Sequence, residues 1–279
     1  MKLTKMSNDI LLTECSNFDP FISCECGQCF RFEQINENKY ILYACGRALT
    51  ICKDKSGWLF CDITEEEFTT LFVPYFDLER DYSQIICSFS NDESISRAAV
   101  AGGGIRIFRQ DPWETLISFI ISANNNIPRI KKIIDSLCRL LGEERNGFYS
   151  FPTPESIKSA GIEGLAPIKA GFRAKYIYDA ACKIANGEIS LEYIQNCGYA
   201  QALDELKKIK GVGDKVANCV LLFGFGYYEA FPIDVWVKRV IAKYYGDGFD
   251  PTALGKYAGI AQQYLFYYER SVLSKEAEE

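Results

Sequence analysis

The spacing of apolar residues changes once along the chain. Up to about residue 95, short runs rich in β-branched and aromatic residues (CFRFEQ, KYILYA, RALTICKD and GWLFCDI) alternate with polar turns, a pattern that predicts strands of an antiparallel sheet. After the glycines Gly102 to Gly104, apolar positions recur at helical spacing almost to the end. Helices are predicted at about 111–123, 127–141, 154–160, 173–187, 200–208, 214–225, 234–245 and 254–269. Asp111-Pro112 with Glu114, and Thr153-Pro154 with Glu155, mark two of the starts, because a capping side chain followed by proline satisfies the first turn of a helix. The expected fold is α+β: an antiparallel sheet domain over residues 1–100, then a mostly helical region over 101–279, with one boundary near residue 100. No internal repeat or low-complexity segment interrupts this plan.

Composition narrows the chemistry. At 279 residues, with 48% hydrophobic and 14% aromatic content, the chain can bury a core and has room for two domains. Its start lacks the apolar run of a signal peptide, and the richest apolar stretch, Val216 to Tyr228, is too short to span a bilayer. The expectation is a cytoplasmic protein with no targeting segment and no membrane partner. Twelve cysteines without a secretory leader fit a reducing compartment. There is no histidine, which excludes imidazole triads and histidine-ligated metals and leaves acid–base work to Asp, Glu, Lys, Cys or Tyr. Cys24, Cys26 and Cys29 make an incomplete zinc spacing, so no metal is expected there.

The formal net charge of −6 argues mildly against nucleic acid, yet cations gather in Arg106, Arg109, Arg129, Lys131, Lys132 and Arg139, and again in Lys207, Lys208, Lys210, Lys215, Lys238, Arg239 and Lys243. Scattered solvated charge explains these groups as well as a binding face does.

The segment LDELKKIKGVGDKVANCVLLFGFG, within about residues 200–226, reads as helix, glycine turn, helix: a helix-hairpin-helix pattern. Gly211 and Gly213 permit a turn closed to other residues and leave backbone N–H groups bare at the head of the second helix, where the helix dipole suits a phosphate. A plain αα-hairpin with a glycine turn would look the same. What sharpens the reading is FPIDVWVKRV, which puts Asp234 at the head of another helix, 19 positions beyond Lys215. Separately, Asp234 is a helix cap and Lys215 a solvated helix residue. Together after a glycine hairpin they form a specific pattern.

Here the chain resembles the helix-hairpin-helix (HhH-GPD) DNA glycosylase superfamily and, within it, the 8-oxoguanine DNA glycosylase/AP lyase family. The resemblance runs through Gly27-Gln28-Cys29-Phe30-Arg31, Arg109-Gln110-Asp111-Pro112, Asn124-Asn125-Asn126, Phe172-Arg173-Ala174, GVGDKVANC, PIDV and YAGIAQQYLF, in the family's order. It implies base-excision repair of duplex DNA containing 8-oxoguanine, by a monomer that flips out the damaged base. Lys215 would attack C1′ and form a Schiff base, Asp234 would steady the charge developing on the sugar, and β-elimination would give AP lyase activity. An amine can attack only when unprotonated, and Lys215 stands where burial and the positive end of a helix disfavour ammonium.

The resemblance further implies that Cys219 and Phe266 sandwich the oxidised base, that Gln262 reads its Watson–Crick edge, and that the Gly27 carbonyl accepts the N7–H found in 8-oxoguanine but not in guanine. Lys215 and Cys219, like Gln262 and Phe266, are four apart and share a helix face. Core packing accounts for Cys219 and Phe266 equally well on their own. Asn124 would fill the gap left by the base, Arg129 and Arg173 would contact the orphaned cytosine, and Phe172 would be the wedge. The family commonly has Tyr at the Phe172 position and His at the Trp236 position. No cofactor is implied beyond a monovalent cation on hairpin carbonyls near Ile209 and Val212. An alkyladenine glycosylase would keep Asp234 without needing Lys215 and Gln262, and a non-catalytic hairpin module would leave all of these residues without a role.

Overall fold

The computed structural model describes residues 1–246 and 248–273. It separates into two compact units, one made of residues 1–109 together with residues from 226 onward, the other of Gln110–Phe225. The first unit contains a six-stranded antiparallel sheet, β1 (Lys2–Met6), β2 (Asp9–Thr13), β3 (Phe32–Asn36), β4 (Lys39–Ala44), β5 (Arg47–Lys53) and β6 (Trp58–Cys61), in the order β1-β2-β6-β5-β4-β3. The four strand segments expected from the sequence correspond to β3–β6. The first two strands were not anticipated: β1 is an almost wholly exposed edge, whose polar KLTKM carries no inward face to read. The turn between β4 and β5 uses Cys45 and Gly46, both at positive φ (53° and 72°), the backbone a two-residue hairpin needs between Ala44 and Arg47.

One face of the sheet buries Ile10, Leu12, Tyr40, Leu42, Leu49, Ile51, Trp58 and Phe60, the alternate positions of their strands. Against it lie Phe18 and Phe21 and the aromatic residues Phe68, Phe72 and Phe76. Residues 65–75 are therefore helical rather than extended, with a π turn at Phe68–Phe72 that keeps both of its end rings buried. This unit also holds α1 (Pro20–Glu25), α2 (Tyr82–Ser88) and α3 (Glu93–Ala101), none of which the strand-like composition of residues 1–95 revealed.

The single boundary expected near residue 100 is not the one the contacts make, because the C-terminal helix returns to the sheet's unit. That helix (Ala258–Tyr267) donates from Gln263 Nε2 to Cys26 O at 2.5 Å and from Tyr264 Oη to Ile105 O at 3.3 Å. Gln28, fully buried, donates to Ser23 O (2.9 Å) and Arg106 O (2.8 Å) and accepts the Phe108 N–H (2.8 Å). Arg106 is the other tie. At 3% exposure its guanidinium donates to Asn17 O, Asp77 O, Arg80 O and Ser16 O at 2.6–3.0 Å, with the Tyr82 ring 4.4 Å away. It is thus part of the core, not of the basic surface group the sequence suggested.

The second unit is helical: Pro112–Ser122, Ile127–Leu141, Pro154–Gly164, Ala174–Ala185, Leu191–Asn196, Tyr199–Lys207 and Asp214–Val220, the last continuing as a π turn over Leu221–Phe225. Its starts follow the expected chemistry. Asp111, Asn126 and Thr153 each accept the N–H three residues on, with proline in the first turn behind them. Among the described residues no helix is long and apolar enough to cross a membrane.

Arg106→Met should cost about 3 kcal/mol or more, because four backbone carbonyls lose the donor that a buried guanidinium gives them. Urea denaturation followed by circular dichroism measures it, and a loss below 1 kcal/mol would show that the guanidinium is not a structural tie.

Candidate active site

In the second unit the site grows from the turn that links Tyr199–Lys207 to Asp214–Val220. Gly211 has φ +82°, and a Cβ on it would fall 2.3 Å from Cδ2 of Tyr176, so conformation and packing both require glycine. The Lys210 N–H donates to Asp179 Oδ2 at 2.9 Å, and Asp179 pairs with Lys183 at 3.0 Å. Burial pushes the Asp179 carboxyl up, but the Lys210 N–H and the Lys183 ammonium outweigh it and hold the group below the usual carboxylate range. Gly213 differs from Gly211. Its φ of −101° is open to any residue, a Cβ there would meet nothing within 4 Å, and it caps the next helix with no side-chain bond. No capping side chain at Gly213 therefore occupies the first N–H groups of that helix, an arrangement that can take an anion.

Lys215 lies on that first turn, half-buried. Its Nζ donates to Ser122 Oγ at 3.3 Å and stands 5.1 Å from the centroid of the Phe119 ring. One turn further, Cys219 is 3% exposed on the same helix face. Asn124, two residues beyond helix Pro112–Ser122, is exposed with φ +49°; Arg129 is exposed; Phe172 is 50% exposed with its ring edge-on to Tyr176.

Arg173 departs from expectation. It is 3% exposed, and its Nε, Nη1 and Nη2 donate to Ala123 O (2.8 Å), Ala170 O (3.3 Å) and Asn124 O (2.7 Å). Here it holds the loop that presents Asn124 instead of reaching outward, since a buried guanidinium must satisfy its donors inside. Burial, with the nearby Arg129 charge, lowers its pKa.

In the first unit, Asp234 is half-buried and caps helix Val235–Tyr244 through Oδ1, which accepts the Val237 N–H at 2.9 Å. Trp236, in the next turn, stacks under Arg239 at 4.8 Å. Gly27, at φ +82°, lies against the Phe266 ring: a Cβ would be 3.3 Å from Cε1, and 3.4 Å from Nη1 of Arg270. Gln262 is 4% exposed, and its Oε1 has no hydrogen-bond partner. A buried carbonyl oxygen left so costs about 1–3 kcal/mol unless a ligand supplies a donor. The residues sequence reasoning did not single out are Ser122 and Phe119 beside Lys215, and Arg270 beside Gly27, whose guanidinium also faces the Phe266 ring at 5.6 Å. Only tertiary proximity marks them.

Residues 10–116 match the 8-oxoguanine DNA glycosylase N-terminal domain, and residues 117–254 match the HhH-GPD superfamily base excision DNA repair protein. The chain is 30% identical over 238 residues to a probable N-glycosylase/DNA lyase of Methanothermobacter thermautotrophicus, covering 74% of each protein. The chain belongs to the 8-oxoguanine DNA glycosylase family. A second family relative, the N-glycosylase/DNA lyase of Saccharomyces cerevisiae, is 34% identical over 197 residues, 65% of this chain and 52% of that protein, so the match spans about half of the yeast relative's length. The solved 8-oxoguanine glycosylase/lyase of Clostridium acetobutylicum, in complex with duplex DNA containing cytosine opposite 8-oxoguanine, superposes with a TM-score of 0.91 at 37% identity, over 100% of this chain and 99% of that one.

The two family-model matches contain Gly27, Lys215, Cys219 and Asp234, whereas Gln262 and Phe266 lie beyond residue 254 and fall within the full-length structural match. The cysteines near Gly27 act as buried thiol donors: Cys26 Sγ to Ser23 O at 3.1 Å and Cys29 Sγ to Cys24 O at 3.7 Å, with burial pushing the Cys26 thiol up to about 12. No group of three or more His, Cys, Asp or Glu among the described residues is arranged to hold a metal ion.

Gly211→Ala should destabilise the protein by about 2 kcal/mol, from the left-handed backbone and the clash with Tyr176, and weaken binding to undamaged duplex. Thermal melting and fluorescence anisotropy measure both; wild-type behaviour in each would mean the turn does not depend on this glycine.

Proposed function

We propose that this member of the family excises 8-oxoguanine from duplex DNA with Lys215 as nucleophile, then cleaves the strand at the resulting abasic site. The observation that carries the assignment is the setting of Lys215. Lys183, Lys207, Lys208 and Lys210 in the same unit each stand within 3.5 Å of a carboxylate. Lys215 has instead a neutral hydroxyl and a phenyl ring, and no carboxylate of its own unit pairs with it among the described residues. Such a setting leaves the amine free of an ion-pair partner that would hold it away from a substrate carbon.

As the lone pair of the Lys215 amine forms a bond to C1′, the C1′–N9 bond breaks and the base departs with the bonding electrons, taking up a proton. The nitrogen gives up a proton, and its lone pair then forms the C1′=N bond as C1′–O4′ breaks, O4′ keeping the bonding pair and taking up a proton, which gives the protonated imine. Loss of a C2′ proton then expels the 3′ phosphate, which is the lyase step. Asp234, the cap of its helix, would stabilise positive charge on the sugar as the glycosidic bond loosens.

Recognition follows from the residues of the other unit. A flipped 8-oxoguanine offers N1–H and N2–H donors on its Watson–Crick edge and N7–H on the other. The partnerless Gln262 Oε1 suits the former, the Gly27 carbonyl the latter, and Phe266 the ring face. Cys219 would pack on the opposite face. On the DNA side we assign Asn124 to the vacated stack, Arg129 to the cytosine, Phe172 to the wedge and Arg173 to support of Asn124. The hairpin glycines would receive a backbone phosphate. Ile209 O already accepts the Val212 N–H, which leaves it one lone pair for a monovalent cation.

Borohydride should trap a covalent adduct of the wild-type protein with an 8-oxoguanine duplex, and Lys215→Gln should abolish it; full trapping by that variant would remove Lys215 from the role. Asp234→Asn should slow single-turnover excision about 100-fold, about 2.7 kcal/mol of barrier, while damaged-duplex affinity stays within a few-fold. An unchanged rate would defeat the electrostatic role.

A further inference from the structure

Ser122 is the last residue of helix Pro112–Ser122, 93 positions before Lys215, yet its Oγ is the hydrogen-bond partner of the Lys215 amine at 3.3 Å. A serine hydroxyl has one proton to give and two lone pairs. At this helix end the Ala123 N–H turns back to Ile120 O at 3.3 Å, and the Ser122 hydroxyl donates to the Phe119 carbonyl at 2.8 Å. With its proton committed there, Ser122 can only accept from the amine.

That asymmetry matters for a nucleophile. A hydroxyl that donated to the neutral amine would occupy the lone pair that must reach carbon, whereas one that accepts an N–H holds the nitrogen and leaves the pair free. The Phe119 ring, 5.1 Å from Nζ and itself stacked on Phe223 at 5.5 Å with an interplanar angle of 19°, supplies a rigid floor beside it. We infer that Ser122 is a positioning residue for the reaction: through the acceptor face of its hydroxyl it aims the Lys215 amine while leaving the lone pair unmasked. The inference rests on the assignment of Lys215 as nucleophile. A loosely held reacting atom lowers the chemical step without touching substrate affinity, because fixing the geometry replaces entropy that free motion would otherwise cost.

The test is single-turnover excision at saturating enzyme, run with the affinity for a duplex carrying a tetrahydrofuran abasic site and the melting temperature. Ser122→Ala should excise about tenfold more slowly with affinity within twofold of wild type, and Ser122→Thr, which keeps the hydroxyl, should recover to within threefold. Excision by Ser122→Ala at the wild-type rate would overturn the inference. So would a Ser122→Ala loss of rate matched by an equal loss of affinity, which would mark a purely structural serine, and so would a Ser122→Thr protein that melts like wild type yet excises no faster than Ser122→Ala. Lys215→Gln in the borohydride assay separates the two claims: if it still traps, the nucleophile assignment fails and takes this inference with it; if it is silent while Ser122→Ala runs at full rate, only the role of Ser122 fails.

Discussion

The position of the amine proposed as nucleophile depends on one contact, that of Gly211 against the face of Tyr176. With φ at +82° and no room for a Cβ, the chain must turn there, and the helix that starts three residues later carries Lys215 in its first turn. Helix Ala174–Ala185 reinforces the turn from the same side, with Asp179 on the Lys210 N–H and Lys183 on the Lys208 carbonyl. Tyr176, Asp179 and Lys183 are three and four apart, one face of one helix, so a single element sets the hairpin. A site that does chemistry on an extruded nucleotide needs this rigidity, because misplacement of the nucleophile by an ångström is enough to slow the reaction about 100-fold.

Charge in this protein is more local than its sequence suggests. The net charge is −6, and several residues of the two basic groups are not free cations: Arg106 is buried on backbone carbonyls, Lys207, Lys208 and Lys243 stand next to acids, and Arg139 pairs with Asp135. Arg173 likewise serves carbonyls of its own loop. Under the proposed function, DNA contact would rely less on a broad positive field than on backbone N–H groups at the hairpin and on side chains such as Arg129. Binding of this kind favours a bound geometry over long-range steering, which salt would screen in any case.

Much of this was legible from residue order, and the rest was hidden for physical reasons. Helices from residue 111 onward announce themselves through Asp111, Asn126 and Thr153 caps and a one-sided apolar stripe, so their bounds lie close to expectation. Residues 65–75 did not, because FTTLFVPYF is rich in β-branched and aromatic residues and becomes helical only by packing its rings under the sheet. The return of helix Ala258–Tyr267 to the first unit depends on Gln263 meeting Cys26, 237 residues away, which no local pattern encodes. In the site, the glycine turn, Lys215, Asp234 and Gln262 stand out because their chemistry is tied to a motif. Ser122 and the inward turn of Arg173 do not, because each is defined by what lies across a fold contact.

The most direct measure of the central claim is the identity of the atom joined to DNA. If the borohydride-reduced adduct formed on an 8-oxoguanine duplex is digested and its peptides sequenced by mass spectrometry, the account predicts that the sugar remnant is carried on Lys215, within GVGDKVANC. A remnant on any other lysine, or on the chain's amino terminus, would contradict it.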